Sequence, residues 1–175
     1  MYTSEELQRL YDYAWDRYLA EDYVEAFDCF KEVADTGHAE ATTMLGVLYS
    51  DERFVGRDYD KAVAYLRLAV ERGDIGAFSA LGEIYRDGRG VEQSGNKAIE
   101  YFTKAKNWYE IGAMYREGDC IEQDALKAIE FFAKANAWNE IALIYRYGRG
   151  IEPDEQKAIE YEQKAAILKR YKIIA

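Results

Sequence analysis

Apolar positions recur along this chain with two nested periods. The short period is helical: in the segment KAIEYFTKA, Ala98, Phe102 and Ala105 stand at i, i+4 and i+7, one face of an α-helix. The long period repeats that helix. KAIEFFAKA and KAIEYEQKA follow it, and Lys-Ala recurs at Lys61-Ala62, Lys97-Ala98, Lys127-Ala128 and Lys157-Ala158. Sixteen residues before each of these alanines sits a small residue: Gly46, Gly82, Gly112 and Ala142. A tyrosine follows each small residue by three: Tyr49, Tyr85, Tyr115 and Tyr145. At 100° per residue, Leu81, Gly82 and Tyr85 share one side, predicting a packing face on a first helix. Trp108 and Trp138 fall on that side and are expected to pack between repeats.

Each unit therefore reads as helix A, loop, helix B. Asp22, Asp58, Ser94, Asp124 and Asp154 stand four residues before the helix B alanines, where a short polar side chain accepts from free N–H groups of the first turn. Gly88, Gly118 and Gly148 are expected to end helix A in the left-handed conformation. Val91, Ile121 and Ile151 tuck the loops inward. Cys120 replaces a second loop glycine, Gly90 or Gly150, and is strained if that position needs positive φ. Glu162 stands where Phe102 and Phe132 stand, so no sixth unit is expected on that face.

The spacing of these small residues is 36 and then 30 and 30 residues. A period of this size marks a solenoid. The register predicts one repeat domain, 1–175, with units at about 4–36, 37–72, 73–106, 107–136 and 137–175, the last carrying a C-terminal capping helix. The last two units lose the lead-in seen at Gly37–Ala41 and Gly73–Ala77 and run through Asn107-Trp108 and Asn136-Ala137-Trp138. A tighter turn and a shorter helix A are expected there, with a local change of curvature.

The motif AxxxLGxxYxxGxGVxxxxxKAxxYFxKA, carried by Ala77–Ala105, resembles the Sel1-like repeat family, a relative of the tetratricopeptide repeat. Units four and five match from Ile111 and Ile141. Unit two matches in both helices but has the loop DERFVG, and unit one, with Phe30, is closer to a tetratricopeptide hairpin. The resemblance implies an all-α, right-handed α/α solenoid of about five helix-turn-helix repeats, with helix A lining a concave surface. It also implies protein–protein interaction and a bacterial style of protein. Some secreted members carry a cysteine pair in each repeat; this chain does not, so no activity of that branch is carried over.

Charge narrows the partners. The 175 residues hold 23 basic and 33 acidic groups, a formal net of −10. That argues against nucleic acid and against an anionic membrane, and favours a protein or peptide, in one version with a basic surface. The opening MYTSEELQRL has no secretory pattern and no apolar run is long enough to span a membrane. With two cysteines, Cys29 and Cys120, and one proline, Pro153, a helical, cytoplasmic chain without disulfides is expected. Oligomeric state is left open.

Candidate chemistry is sparse. His38 is read as a helix-start residue rather than a base. Gly88-Arg89-Gly90 and Gly148-Arg149-Gly150 follow helices, whereas a phosphate loop follows a strand. Glu110 and Glu140, and Asp87 and Glu117, recur with the period and are read as a solvated acidic rim. No catalytic residue, cofactor or metal site is expected.

The outward positions of helix A are Thr43, Ser79, Tyr109 and Asn139; Val47, Glu83, Ala113 and Leu143; and Ser50, Arg86, Arg116 and Arg146. From these, Val47, Glu83, Arg86, Tyr109, Arg116, Asn139, Leu143 and Arg146 are the candidate partner-binding residues. The arginines are either a carboxylate-binding ladder or ion-pair partners of their neighbours. The basic, apolar tail Ile167–Ala175 either covers the last hydrophobic face or docks a partner. The expected function is a non-catalytic adaptor or scaffold. The alternatives are a bacterial immunity or antagonist protein neutralising a toxin or effector and, less favoured, a hydrolase acting on cell-wall or β-lactam substrates.

Overall fold

The computed structural model describes residues 2–174, with side chains through Arg170. Ten α-helices and no strand occur among the described residues, so the expected all-α repeat architecture is borne out. The chain forms two compact units, residues 1–94 and 95–175.

The first unit contains α1 (Ser4–Leu19), α2 (Tyr23–Ala34), α3 (Ala39–Ser50), α4 (Tyr59–Glu71) and α5 (Gly76–Asp87). The second contains α6 (Gly95–Lys104), α7 (Trp108–Glu117), α8 (Ala125–Lys134), α9 (Trp138–Tyr147) and α10 (Glu155–Ile174). Within each unit, successive helices pack as hairpins: α1 on α2 and α3 on α4 in the first, α7 on α8 and α9 on α10 in the second. The third predicted pair is α5 and α6, one in each unit.

The caps explain why helix B begins where it does. Asp22, Asp58, Asp124 and Asp154 accept from the N–H groups of Glu25, Lys61, Lys127 and Lys157 at 3.0 to 3.3 Å. Each satisfies a first-turn donor that the helix leaves unpaired. The N–H of the capping residue then returns to helix A: Asp58 donates to the Tyr49 carbonyl, Asp124 to Tyr115 and Asp154 to Tyr145. The loop is thereby closed at both ends. Helix A ends at Gly88, Gly118 and Gly148 with φ of 70°, 74° and 62°, as the sequence predicts.

The shorter period has a clear local form. The lead-in glycines Gly37 and Gly73 adopt positive φ in the first unit. In the second, Lys106 and Asn136 take that role, at 56° and 55°. The next N–H reaches back to Phe102 and Phe132, each at 2.8 Å. Helices α7 and α9 have 10 residues, against 12 in α3 and α5.

Phe30, Leu45, Leu48, Leu66, Leu81 and Ile84 are fully buried in the first unit, and Phe102, Ile111, Met114, Phe132, Ile141 and Ile144 in the second. Burying each such side chain contributes roughly 1.5–3 kcal/mol. Helix A approaches helix B closely enough that a Cβ on Gly112 would lie 2.8 Å from the Phe132 ring. Unit five has Ala142 at the glycine position and Glu162 at the ring position. Helix α10 runs through Ile174, twice the length of α9. The side chains of Tyr171–Ile174 and residue Ala175, part of the tail singled out above, lie outside the described residues.

Candidate protein-binding site

The second unit places its aromatic side chains in rows. Trp108 stacks on Phe131 at 6.2 Å, and Phe131 stacks on Tyr115 at 5.8 Å. Lys127 lies over Tyr115 and Lys134 over Phe131, at 5.0 and 4.6 Å from the ring centroids. The last hairpin repeats the row. Trp138 stacks on Tyr161, Tyr161 on Tyr145, and Lys157 and Lys164 cover Tyr145 and Tyr161. The recurring Lys-Ala dipeptide thus has a double role. Its alanine lets the helices approach, and its lysine joins the capping aspartate to the tyrosine face. Lys127 lies 3.3 Å from Asp124 and Lys157 3.5 Å from Asp154. The tryptophans, expected between repeats, stack on helix B of their own hairpin.

This scaffold fixes the walls of a groove of about 430 Å³. Tyr109 and the short turn Asn136–Glu140 line one side, and Ala165, Leu168 and Lys169 of α10 the other. Tyr109 is 41% exposed, yet its ring meets Phe132 edge-on at 5.4 Å and its hydroxyl donates to Glu140 at 3.3 Å. Burial pushes the Tyr109 pKa up, and the Glu140 charge adds to the effect. Glu140 is also held by Arg116 Nη1. The groove therefore presents positioned aromatic edges, two asparagine amides and one lysine, which are means of holding a peptide. The six residues missing from this unit are the lead-in, and the groove lies at the turn that replaces them.

A second groove, of about 410 Å³, lies in the first unit and is lined by Val47, Ser50, Asp51, Glu52, Arg53, Glu83 and Arg89. It is charged. Arg53 pairs with Asp51 at 2.8 Å and with Glu21 at 3.3 Å, and its side-chain hydrogen bond holds Asp51 below the usual carboxylate range.

All twelve outward helix A positions are exposed or half-exposed. Tyr109 and Asn139 meet in one groove and Val47 and Glu83 in the other. Arg86, Arg116, Arg146 and Leu143 line neither. Arg86 pairs with Asp87 at 2.8 Å, Arg116 with Glu117 at 2.6 Å and with Glu140, and Arg146 with Glu155 at 3.1 Å and Glu162 at 3.0 Å. Each guanidinium is matched by carboxylates of its own unit. Of the carboxylates read as a solvated rim, Asp87, Glu117 and Glu140 are paired with arginines, with side chains 23%, 52% and 22% exposed. Glu162 completes the pattern, because it pairs with Arg146 where Phe132 instead carries Arg116 over its ring.

His38 caps α3, its Nδ1 accepting from the Ala41 N–H at 3.2 Å, and its ring lies against Tyr11. Cys29 and Cys120 are free thiols. No cluster of three or more His, Cys, Asp or Glu that could hold a metal occurs among the described residues. No described helix is long and apolar enough to cross a membrane.

Sequence reasoning offered Leu168 and Lys169 only as part of a tail that could dock a partner, and did not name Ala165, Asn136 or Ala137 as site residues. Two signals pointed there: the shortened period and a basic, apolar tail in an acidic chain.

Comparison with known proteins bears on the fold. A Sel1 repeat protein from Oxalobacter formigenes superposes with a TM-score of 0.72 at 24% identity, covering 94% of this chain and 75% of that one. A protective antigen present in uropathogenic Escherichia coli strains, displaying an SLR fold, gives 0.71 at 23% identity; this chain spans 38% of its length. A Sel1 repeat protein from Klebsiella pneumoniae gives 0.62 at 20% identity, covering 93% and 86% of the two chains. Curated protein sequences gave no match. The Sel1 repeat model matches residues 39–74, 79–107, 109–137 and 139–169, leaving the first hairpin outside. On those four matched segments, the chain belongs to the Sel1 repeat family, whose fold commonly mediates protein–protein interaction.

Proposed function

We propose that this chain is a non-catalytic adaptor or scaffold, working in the cytoplasm, that takes a segment of another protein on its helix A side. The observation that carries the reading is the groove between Tyr109, the Asn136–Glu140 turn and Leu168. Its aromatic walls are fixed from behind by Phe132 and Tyr161, so little side-chain freedom is lost when a partner docks. Its carboxylate, Glu140, is neutralised by Arg116 and bonded by Tyr109, an arrangement for positioning rather than for proton transfer. The groove is open, whereas substrate chemistry favours an enclosed site with convergent titratable groups.

The test is quantitative affinity capture from the native cell. Wild type is compared with Tyr109→Ala, Leu168→Asp and an Arg86→Ala, Arg116→Ala, Arg146→Ala triple variant, each checked for folding by circular dichroism. A stoichiometric partner retained by wild type and lost with Tyr109→Ala and Leu168→Asp supports the groove. Loss only with the triple variant moves the site to the arginines. A partner retained by all three variants, or no partner at all, contradicts the reading.

A further inference from the structure

The formal charge of −10 is not spread over the chain. Residues 1–94 hold 20 acidic and 10 basic side chains, and residues 95–175 hold 13 of each. The whole imbalance sits in the first unit. The argument from net charge to a basic partner therefore has no purchase on the groove of the second unit, whose surroundings set its own preference.

The α10 side of that groove belongs to a basic segment. From Gln163 onward the sequence holds Lys164, Lys169, Arg170 and Lys172 and no carboxylate. Lys164 is paired with Glu160 at 3.0 Å. Lys169 lines the groove, Arg170 follows it, and neither makes an ion pair within the described residues. Opposite them, the one carboxylate of the groove, Glu140, is held by Arg116 and Tyr109. Between lie apolar surfaces: Leu168 is 37% exposed and Tyr109 41%, and Trp138 and Ala165 complete the wall. The amides of Asn136 and Asn139 offer donor and acceptor groups that match a peptide backbone.

Resting on the reading just given, we infer that the groove takes a segment of a separate protein in which carboxylates flank an apolar side chain. The apolar side chain fills the space between Leu168, Trp138 and Tyr109. The carboxylates lie toward Lys169, which lines the groove and makes no ion pair within the described residues. A basic segment would bring like charge against Lys169 and gain nothing from Glu140, which is already bonded. Charge of this kind governs specificity and association rate, and it is screened by salt.

The experiment is panning of a random twelve-residue peptide display library on the full chain, with Lys169→Glu and Leu168→Asp as counter-targets. Both positions are exposed, and thermal melts establish that the variants fold. The expected result is enrichment of clones carrying Asp or Glu beside Leu, Ile, Phe or Trp. Synthetic peptides from those clones should bind Lys169→Glu at least tenfold more weakly, and should bind wild type more weakly as salt rises. Enriched basic clones whose binding still depends on Leu168 overturn the inference and leave the groove as a protein-binding site. Clones insensitive to both variants, or no enrichment, overturn the inference and remove the groove from the proposed function. Two further results also overturn it: binding to phosphatidylserine vesicles without peptide enrichment, which reassigns α10 to a lipid surface, and a concentration-dependent dimer lost in Lys169→Glu, which gives the groove to a second copy.

Discussion

Cys120 shows how one substitution in a repeat is answered by another. It takes φ of 50° where Gly90 and Gly150 take 67° and 78°. A left-handed residue with a side chain costs roughly 1–2 kcal/mol, and here the cost coincides with a change in the residue it faces. At Gly90 a Cβ would fall 2.3 Å from the Cβ of Tyr59, and at Gly150 3.2 Å from that of Ala125. The residue that meets the Cys120 segment is Gly95, and a Cβ added there would lie 2.5 Å from the Cys120 carbonyl oxygen and 2.4 Å from Ile121. Gly95→Ala is therefore expected to destabilise the chain by about 1–3 kcal/mol, read from the midpoint of urea unfolding. A shift near zero would mean that the loop relaxes freely. Lys106 makes the opposite case. It is exposed and left-handed at 56°, so Lys106→Gly removes a steric cost while adding chain entropy, for a net stabilisation of about 0.5 kcal/mol. An unchanged or lower melting temperature would contradict this account of the short turn.

At the scale of the element, the caps and aromatic rows tie helix A to helix B in the hairpins α7–α8 and α9–α10. The N–H of the residue three on from Asp58, Asp124 and Asp154 donates to its carboxylate and holds it below the ordinary aspartate value of 3.8. A group whose pKa is depressed on folding contributes stability above its unfolded pKa and loses it as pH falls through the folded one. The caps should thus contribute fully above pH 3.8 and fade below it. In Asp58→Asn, Asp124→Asn, Asp154→Asn, in which the amide still caps, the fall in melting temperature below that pH should be shallower than in wild type. Parallel curves would show that other carboxylates govern acid unfolding. The elements were largely legible in the sequence, because the helical period, the capping aspartates and the terminating glycines are local signals. The tryptophans were placed on the right side of helix A, but their partners were not legible. A helical wheel gives direction, whereas choosing Phe131 and Tyr161 requires the register of the facing helix.

At the scale of the molecule, function follows from what the repeat omits. The Sel1 pattern accounts for the helices, and the groove within its regular first-unit repeats is charged. The groove beside Tyr109 forms where the lead-in is missing and where α10 continues beyond the length of its hairpin partner. Tyr109 and Asn139 were legible as candidates because they face outward. Leu168 and Lys169 were visible only as an odd tail, since nothing in the sequence says which turn a long last helix will overhang. The arginines were legible by position alone; their pairing with Asp87, Glu117, Glu140, Glu155 and Glu162 depends on side chains up to a full repeat away. The most direct test of the central claim is site-specific photo-crosslinking in the native cell, with benzoylphenylalanine in place of Tyr109 and, as control, in place of Tyr147, which is 64% exposed and lies outside the groove. The account predicts a discrete crosslinked protein from position 109, absent from position 147 and abolished by adding Leu168→Asp. Equal crosslinking from both positions, or none from 109, would contradict it.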